Sequence, residues 1–227
     1  MSAPVGSDTT WFVIPLYNEA QVIGSVVTAL RERYPLVVCV NDGSTDDSAA
    51  EAERAGAVVV HHPYNLGQGA AIKTGIDYAL SDPRMRQVVT FDADGQHRVE
   101  DAEAMIAQRE ASGVDVVLGS RFLDDRTKPG LLKRMVLRFA VWYTNLTSGV
   151  RLTDAHNGLR VLGRHACEVV TIEQNRMAHA SEIVAEFGRH QLSIEEHPVH
   201  ILYTDYSKSK GQPVLNSVNI LIDLLFK

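Results

Sequence analysis

The sequence is poor in cysteine and has no long apolar run, and its net charge has the wrong sign for gripping nucleic acid. Two cysteines among 227 residues, Cys39 and Cys167, cannot make a disulfide framework. Cys39 lies in an apolar run, so a reduced, buried thiol and a cytosolic compartment are expected. No stretch approaches the roughly 18 apolar residues that a spanning helix needs. Residues 1–10 carry neither a basic start nor a long apolar segment, so no secretory leader is expected there. Lys and Arg number 22 against 28 Asp and Glu, a net charge of −6. Free-standing nucleic-acid binding, which requires clustered positive charge, is not expected.

Several catalytic signatures are missing too. There is no Walker phosphate loop, no nucleophile elbow, no Cys-x-x-Cys and no zinc-spaced histidine pair. Gly67-x-Gly69 is followed by Ile72 where a dinucleotide fingerprint needs its third glycine, with Gly75 beyond. His61 and His62 are adjacent, which is poor chelate geometry for a strand, and they read as edge or surface residues.

Apolar residues make up 45% of the chain, enough for an ordinary core, and the length fits a single domain over 1–227. The charge is unevenly spread. Residues 1–120 carry 8 basic and 17 acidic side chains, whereas residues 121–227 carry 14 basic and 11 acidic. The second half is therefore the half suited to anions.

Short Val-, Ile- and Phe-rich runs at 11–16, 36–41, 57–61, 87–91 and 114–118 read as strands. Helical patterns separate them at 20–33, 46–55, 69–80 and 99–111. The alternation predicts an α/β fold with a doubly wound, mostly parallel sheet and right-handed crossovers. Ligands of such sheets bind beyond the carboxyl ends of the strands. Four strand ends carry polar clusters: Pro15-Leu-Tyr-Asn-Glu19, Asn41-Asp-Gly-Ser-Thr-Asp46, Asn65-Leu-Gly-Gln-Gly69 and Asp92-Ala-Asp-Gly-Gln-His97. Each alone reads as a turn with a helix cap. Four on one edge point to a site.

After residue 120 the alternation stops. Residues 131–146 place Leu131, Leu132, Met135, Val136, Phe139, Trp142, Tyr143 and Leu146 at helical spacing, with only positive charges, Lys133, Arg134 and Arg138. Two readings stand: a core-facing helix with a basic outer face, or an interfacial helix on anionic lipid. Residues 214–227 form a second amphipathic segment, whose polar stripe is Asn216, Asn219, Asp223 and Lys227. So wide an apolar face needs a cover.

Asp92 and Asp94 are the sharpest chemical signal. Two carboxylates one residue apart at a strand end are costly to desolvate together unless a cation joins them. A hard divalent cation that also bridges a diphosphate answers that need, and Gln96 offers a neutral oxygen nearby.

The ordered set of strand-end motifs resembles the inverting family-two glycosyltransferases, a group with the GT-A fold. Gly119-Ser-Arg-Phe122, Asp154-Ala-His-Asn-Gly-Leu-Arg160 and Tyr206-Ser-Lys-Ser-Lys-Gly211 resemble the branch that glycosylates polyprenyl phosphates. The resemblance spans about residues 11–211. It implies a nucleotide-sugar half at 11–120 and an acceptor half at 121–211; relatives in that branch often carry C-terminal spanning helices, where this sequence has instead the amphipathic helix expected at 212–227. It implies that Pro15, Tyr17, Glu19, Val40 and Asp42 hold a UDP- or GDP-linked sugar. Asp92, Ala93, Asp94 and Gln96 match the diphosphate segment, with Mg²⁺ or Mn²⁺ on Asp92, Asp94 and Gln96. Arg121 matches the arginine that reaches the acceptor phosphate, and Lys210 the lysine near the phosphates. An arginine common before that lysine is absent, and Lys208 is the nearest cation. The alternative for Arg121 is an ion pair with Asp124 or Asp125.

The expected reaction is a single in-line displacement at the anomeric carbon on the cytoplasmic, inner membrane face. An ionised phosphate acceptor needs no strong base, whereas a sugar hydroxyl would need one, with Asp154 the leading candidate. The structural alternative for Asp154 is a loop-capping carboxylate. Membrane access is expected through surface helices or a small membrane-protein partner, and homo-oligomer formation is left open. Two other readings are extension of a cell-surface glycan on a hydroxyl and a non-catalytic nucleotide-sugar-binding protein.

Overall fold

The structure is a computed structural model that describes residues 7–124, 141, 145–146, 149–154, 157–174 and 179–202. Most of the 131–146 segment, all of 214–227, and Lys208 and Lys210 lie outside the described residues.

The first half follows the expected alternation. Strands β1 (Thr10–Leu16), β2 (Val37–Asn41), β3 (Val58–His61), β4 (Gln87–Thr90) and β5 (Val116–Ser120) alternate with helices. These are α1 (Ile23–Arg31), α2 (Ser48–Arg54), α3 (Gln68–Leu80) and α4 (Val99–Ser112). β6 (Arg160–Gly163), α5 (Arg164–Val169), α6 (His179–Arg189) and β7 (Ile194–Pro198) follow. The seven strands are ordered β3-β2-β1-β4-β6-β5-β7.

Alternation along β1 builds both halves of the core. Trp11 and Val13 join one cluster, with Ile72 and Ile76 of α3 and Ile183, Val184 and Phe187 of α6. Phe12, Ile14 and Leu16 join the other, with Val26 and Val27 of α1 and Met105 and Ile106 of α4. This period of two is what a strand buried on both faces requires. Cys39 and Cys167 are both buried and free, as the apolar setting of Cys39 indicated.

Three features depart from a plain alternation or go beyond it. β5 does not lie beside β4; β6 is inserted between them, antiparallel to both, and β7 flanks β5 in parallel. The chain that leaves β5 therefore returns in the opposite direction, which turns the start of β6 toward the carboxyl ends of β4 and β5. β3 is not covered on both faces: Val58 is exposed because the strand forms the sheet edge. α1 starts at Ile23 rather than at residue 20, because the Glu19 carbonyl accepts the N–H groups of Val22 and Ile23 in a preceding turn.

The sheet order reverses at β1. β2 and β3 lie on one side of it and β4 on the other. In doubly wound sheets such a reversal opens a crevice at the strand ends. Its depth depends on close packing of α3 on β1, where a methyl at Gly75 would sit 2.2 Å from Val13 Cγ1. Gly75→Ala should destabilise by about 1–3 kcal/mol through overpacking, more than the roughly 1 kcal/mol gained in helix propensity. Urea unfolding should show a lower midpoint at unchanged slope. An unchanged or higher midpoint would contradict that packing.

Candidate active site

The crevice is bounded by the ends of β1 and β4. β4 runs into Phe91, whose N–H donates to Val13 O at 3.0 Å, and then into Asp92-Ala93-Asp94. Ala93 is turned into the core, and the carboxylates beside it stay half-buried. Asp92 accepts hydrogen bonds from Gln68 Nε2 at 3.2 Å and His97 Nε2 at 2.9 Å. Asp94 Oδ1 accepts from the Gln96 N–H at 3.0 Å.

The two acids are driven apart in acidity. Burial alone would raise the pKa of Asp92, but the hydrogen bond from His97 and the positive fields of His97, Arg160 and His179 hold it below its usual value. Asp94 is pushed up to about 6, first by burial and then by the charge of Asp92, against the lowering effect of the Gln96 N–H. This is the response of two carboxylates short of positive charge.

That shortfall fits a hard divalent cation, which Asp92 and Asp94 would hold. When bound it would supply the charge that stabilises a leaving diphosphate. Among the described residues no group of three or more His, Cys, Asp or Glu could hold a metal ion alone. Ligand oxygens from a bound diphosphate would complete the shell. The backbone of Gln96 is engaged, its N–H on Asp94 and its carbonyl accepting from Leu202 N at 2.9 Å. Its side-chain oxygen is the part that remains for a metal role.

The residues expected to hold the nucleoside divide into two groups. Pro15, Tyr17 and Glu19 line the end of β1, and Tyr17 is 47% exposed. Val40 and Asp42 are buried at the end of β2. The Asp42 carboxylate is already occupied: it accepts from Leu66 N at 2.8 Å, Gly67 N at 2.7 Å and faces His62 Nδ1 at 2.7 Å. It therefore shapes the 65–67 loop. His62 corrects the surface reading of the histidine pair. His61 is exposed, but the His62 side chain is 8% exposed and bridges Asp42 and Thr74 Oγ1, the latter at 2.9 Å.

Hydrogen bonds stitch the β1 and β2 loops together. Asn18 N donates to Ser44 Oγ at 3.1 Å, Thr45 N to Asn18 Oδ1 at 2.9 Å, and Glu19 N to Ser48 Oγ at 2.7 Å.

Across the crevice, Arg121 and Asp154 are brought together. Arg121 Nε and Nη2 lie 2.6 and 2.8 Å from the two Asp154 oxygens, and the Arg121 N–H donates to Oδ2 at 3.1 Å. The Arg121 side chain is 12% exposed and that of Asp154 is fully buried. Asp154 lies within reach of Arg121, beside β5, because β6 is inserted there. Sequence reasoning missed Glu196, whose carboxylate accepts from Thr153 N at 2.9 Å and Asp154 N at 3.1 Å. It also missed Gly158: a methyl there would meet Asp92 Oδ2 at 2.2 Å, so a bare backbone must pass the carboxylate.

A doubly wound sheet with paired acids at the strand ends beside its switch point defines the class, an α/β protein with its crevice at those ends. The comparisons narrow this. The profile described as Glycosyl transferase family 2 matches residues 11–156, and the chain belongs to that family. An uncharacterized protein of Methanocaldococcus jannaschii is 32% identical, covering 98% of this chain and 93% of that one. The UDP-N-acetylglucosamine–dolichyl-phosphate N-acetylglucosaminyltransferase of Methanococcus voltae is 30% identical, covering 95% and 94%. A solved structure of glucosyl-3-phosphoglycerate synthase from Mycobacterium tuberculosis, with Mn²⁺ and UDP-glucose, has a TM-score of 0.70 at 19% identity, covering 96% and 78%. That likeness shows the GT-A fold.

The acid pair sets a pH dependence. The folded pKa of Asp94 is raised, so the metal-free fold binds this proton more tightly than the unfolded chain does. Its contribution to stability falls as pH rises from 3.8 toward about 6 and levels off above. Cation binding must displace the same proton. Mn²⁺ affinity should therefore weaken as pH drops through about 6, and Asp94→Asn should bind Mn²⁺ weakly with a flatter profile. An affinity for Mn²⁺ in the native protein that does not vary between about pH 5 and 7 would contradict the assignment.

Proposed function

We propose that the protein transfers a sugar from a UDP- or GDP-linked donor to a polyprenyl phosphate, with inversion, at the inner face of a membrane. The observation that carries the reading is the Asp92–Asp94 pair at the switch point, where uncompensated acidity calls for Mg²⁺ or Mn²⁺ and a diphosphate. The Methanococcus voltae relative, named for a dolichyl-phosphate acceptor, supports the acceptor class. So does the undecaprenyl-phosphate 4-deoxy-4-formamido-L-arabinose transferase of Pseudomonas fluorescens, 29% identical over 94% of this chain and 63% of that one.

In this reading residues 11–120 hold the donor, residues 121–211 the acceptor, and the amphipathic 212–227 segment meets the membrane. Tyr17 and Glu19 face the nucleoside from β1. Asp42 acts by shaping the neighbouring loop. Asp154 grips one edge of the Arg121 guanidinium and aims it, so Arg121 receives the acceptor phosphate, assisted by Lys208 and Lys210. Guanidinium forks suit phosphate oxygens. Among the described residues no helix is long and apolar enough to cross a membrane; access to the lipid acceptor comes from the basic 131–146 segment or a membrane partner.

A hydroxyl acceptor would need Asp154 as its base. That carboxylate is buried, with both oxygens taken by Arg121, which favours the phosphate acceptor.

The test compares variants on two acceptors. Arg121→Ala would strand a buried carboxylate at a cost of about 3–5 kcal/mol, so Arg121→Lys is the cleaner probe. Losing a charge-assisted contact costs about 1.5–3 kcal/mol, so the Michaelis constant for polyprenyl phosphate should rise roughly ten- to a hundredfold. The donor constant should stay unchanged. Asp154→Asn should reduce turnover less than the 10²–10⁴-fold typical of a lost general base. If Asp154→Asn collapses turnover, Arg121→Lys is mild and a sugar alcohol outperforms polyprenyl phosphate, the reading fails.

A further inference from the structure

Arg160 is a buried cation whose field reaches Asp92. It opens β6, is 2% exposed, and stands directly opposite Thr90 in the antiparallel register, two residues before Asp92. The chain just ahead of it is pressed against the carboxylate: Gly158 approaches Asp92 so closely that no side chain fits there. Thr90 Oγ1 donates to Gly158 O at 2.6 Å and locks this crossing. Arg160 Nη1 is buried with no hydrogen-bond partner among the described residues. The guanidinium interacts electrostatically with both Asp92 and Asp154, and so with both sides of the crevice.

A buried guanidinium without full hydrogen bonding is costly to keep. A methionine or leucine would fill such a place more cheaply, so its charge needs an explanation. The charge balance of the site supplies one. Asp92, Asp94, Asp154 and Glu19, whose charge reaches Asp94, face Arg121 and Arg160, a net of two negative charges. A divalent cation on the acid pair brings this to zero. Without Arg160 the loaded site would keep one negative charge and repel a diphosphate.

We propose that Arg160 is a positioning residue for the donor: its buried charge offsets the acids of the crevice, so that the cation-loaded site accepts a nucleoside diphosphate. It does not touch the diphosphate. It acts through its field, which is weakly screened because the group is buried. This rests on the donor reading above, and it predicts an unusual pair of effects. Removing a positive charge should favour cation binding and oppose diphosphate binding. A residue that only maintained the fold would weaken both.

The test measures Mn²⁺ alone, and then UDP and GDP at saturating Mn²⁺, on wild type, Arg160→Gln and Arg160→Lys. Arg160→Gln should bind Mn²⁺ as tightly as wild type or more tightly. It should bind the preferred nucleoside diphosphate about tenfold more weakly, the scale of one poorly screened charge. Arg160→Lys should restore diphosphate binding to within about threefold, because the ammonium keeps the charge but not the fork. Equal losses for Mn²⁺ and diphosphate in Arg160→Gln, or no loss of diphosphate binding, overturn the proposal. Should Arg160→Gln fail to fold, the lysine variant decides alone: tenfold weaker diphosphate binding with intact Mn²⁺ binding rejects the charge account. If wild type with Mn²⁺ binds neither UDP nor GDP, the donor reading falls and this proposal with it. If wild type binds and Arg160→Gln matches it, only this proposal falls.

Discussion

Two carboxylates held one residue apart at the end of β4 repel each other, and the rest of the crevice is arranged around that repulsion. Asp92 is kept ionised by His97 and by positive charge from β6 and the start of α6, while Asp94 pays for it by being pushed up to about 6. The alternative to such tension is an apolar strand end, which would be more stable and bind nothing. The order β2-β1-β4 puts the pair beside the β1 loop, and the stitched β1–β2 loops present Tyr17 and Glu19 across the same gap. Parallel strands make this convergence automatic, because every carboxyl end points the same way.

The antiparallel strand β6 ties the Asp92–Asp94 side and the Arg121–Asp154 side of the crevice together. Its reversed direction places Gly158 and Arg160 at the edge where β4 and β5 end. Asp154 can then grip Arg121, Gly158 can pass against Asp92, and Arg160 can act on both sides. Glu196 on β7 fastens the loop that bears Asp154 through two backbone amides. An error in register at β6 would thus disturb the acid pair and Arg121 together.

How much of this was legible in the sequence follows from physical range. The first five strands and four helices could be read because each is a local pattern, an apolar run bounded by polar turns or a helical repeat. β6 and β7 could not. The first has four residues and opens on a charged arginine, and the second reads Ile-Glu-Glu-His-Pro because it is an edge strand. The spacing of Ile183, Val184 and Phe187 did carry the signal for α6. Asp92 and Asp94 were recognisable as two acids flanking a single residue after a strand. The occupation of Asp42 by His62 and the 65–67 loop was not, since its partners lie 20 to 25 residues away. The Arg121–Asp154 pair spans 33 residues and depends on the strand insertion. Residues were legible; their partners were set by topology.

In the proposed reaction the acid pair, through a divalent cation, delivers a sugar to a lipid phosphate. The most direct measurement incubates the protein with UDP- and GDP-sugars, a short-chain polyprenyl phosphate and Mn²⁺ or Mg²⁺, and weighs the lipid by mass spectrometry. The account predicts a polyprenyl-phosphate sugar that disappears with EDTA or with Asp94→Ala, while that variant keeps its fold. Product formed at near-full rate under either condition, or sugar carried only on a hydroxyl acceptor, would contradict it.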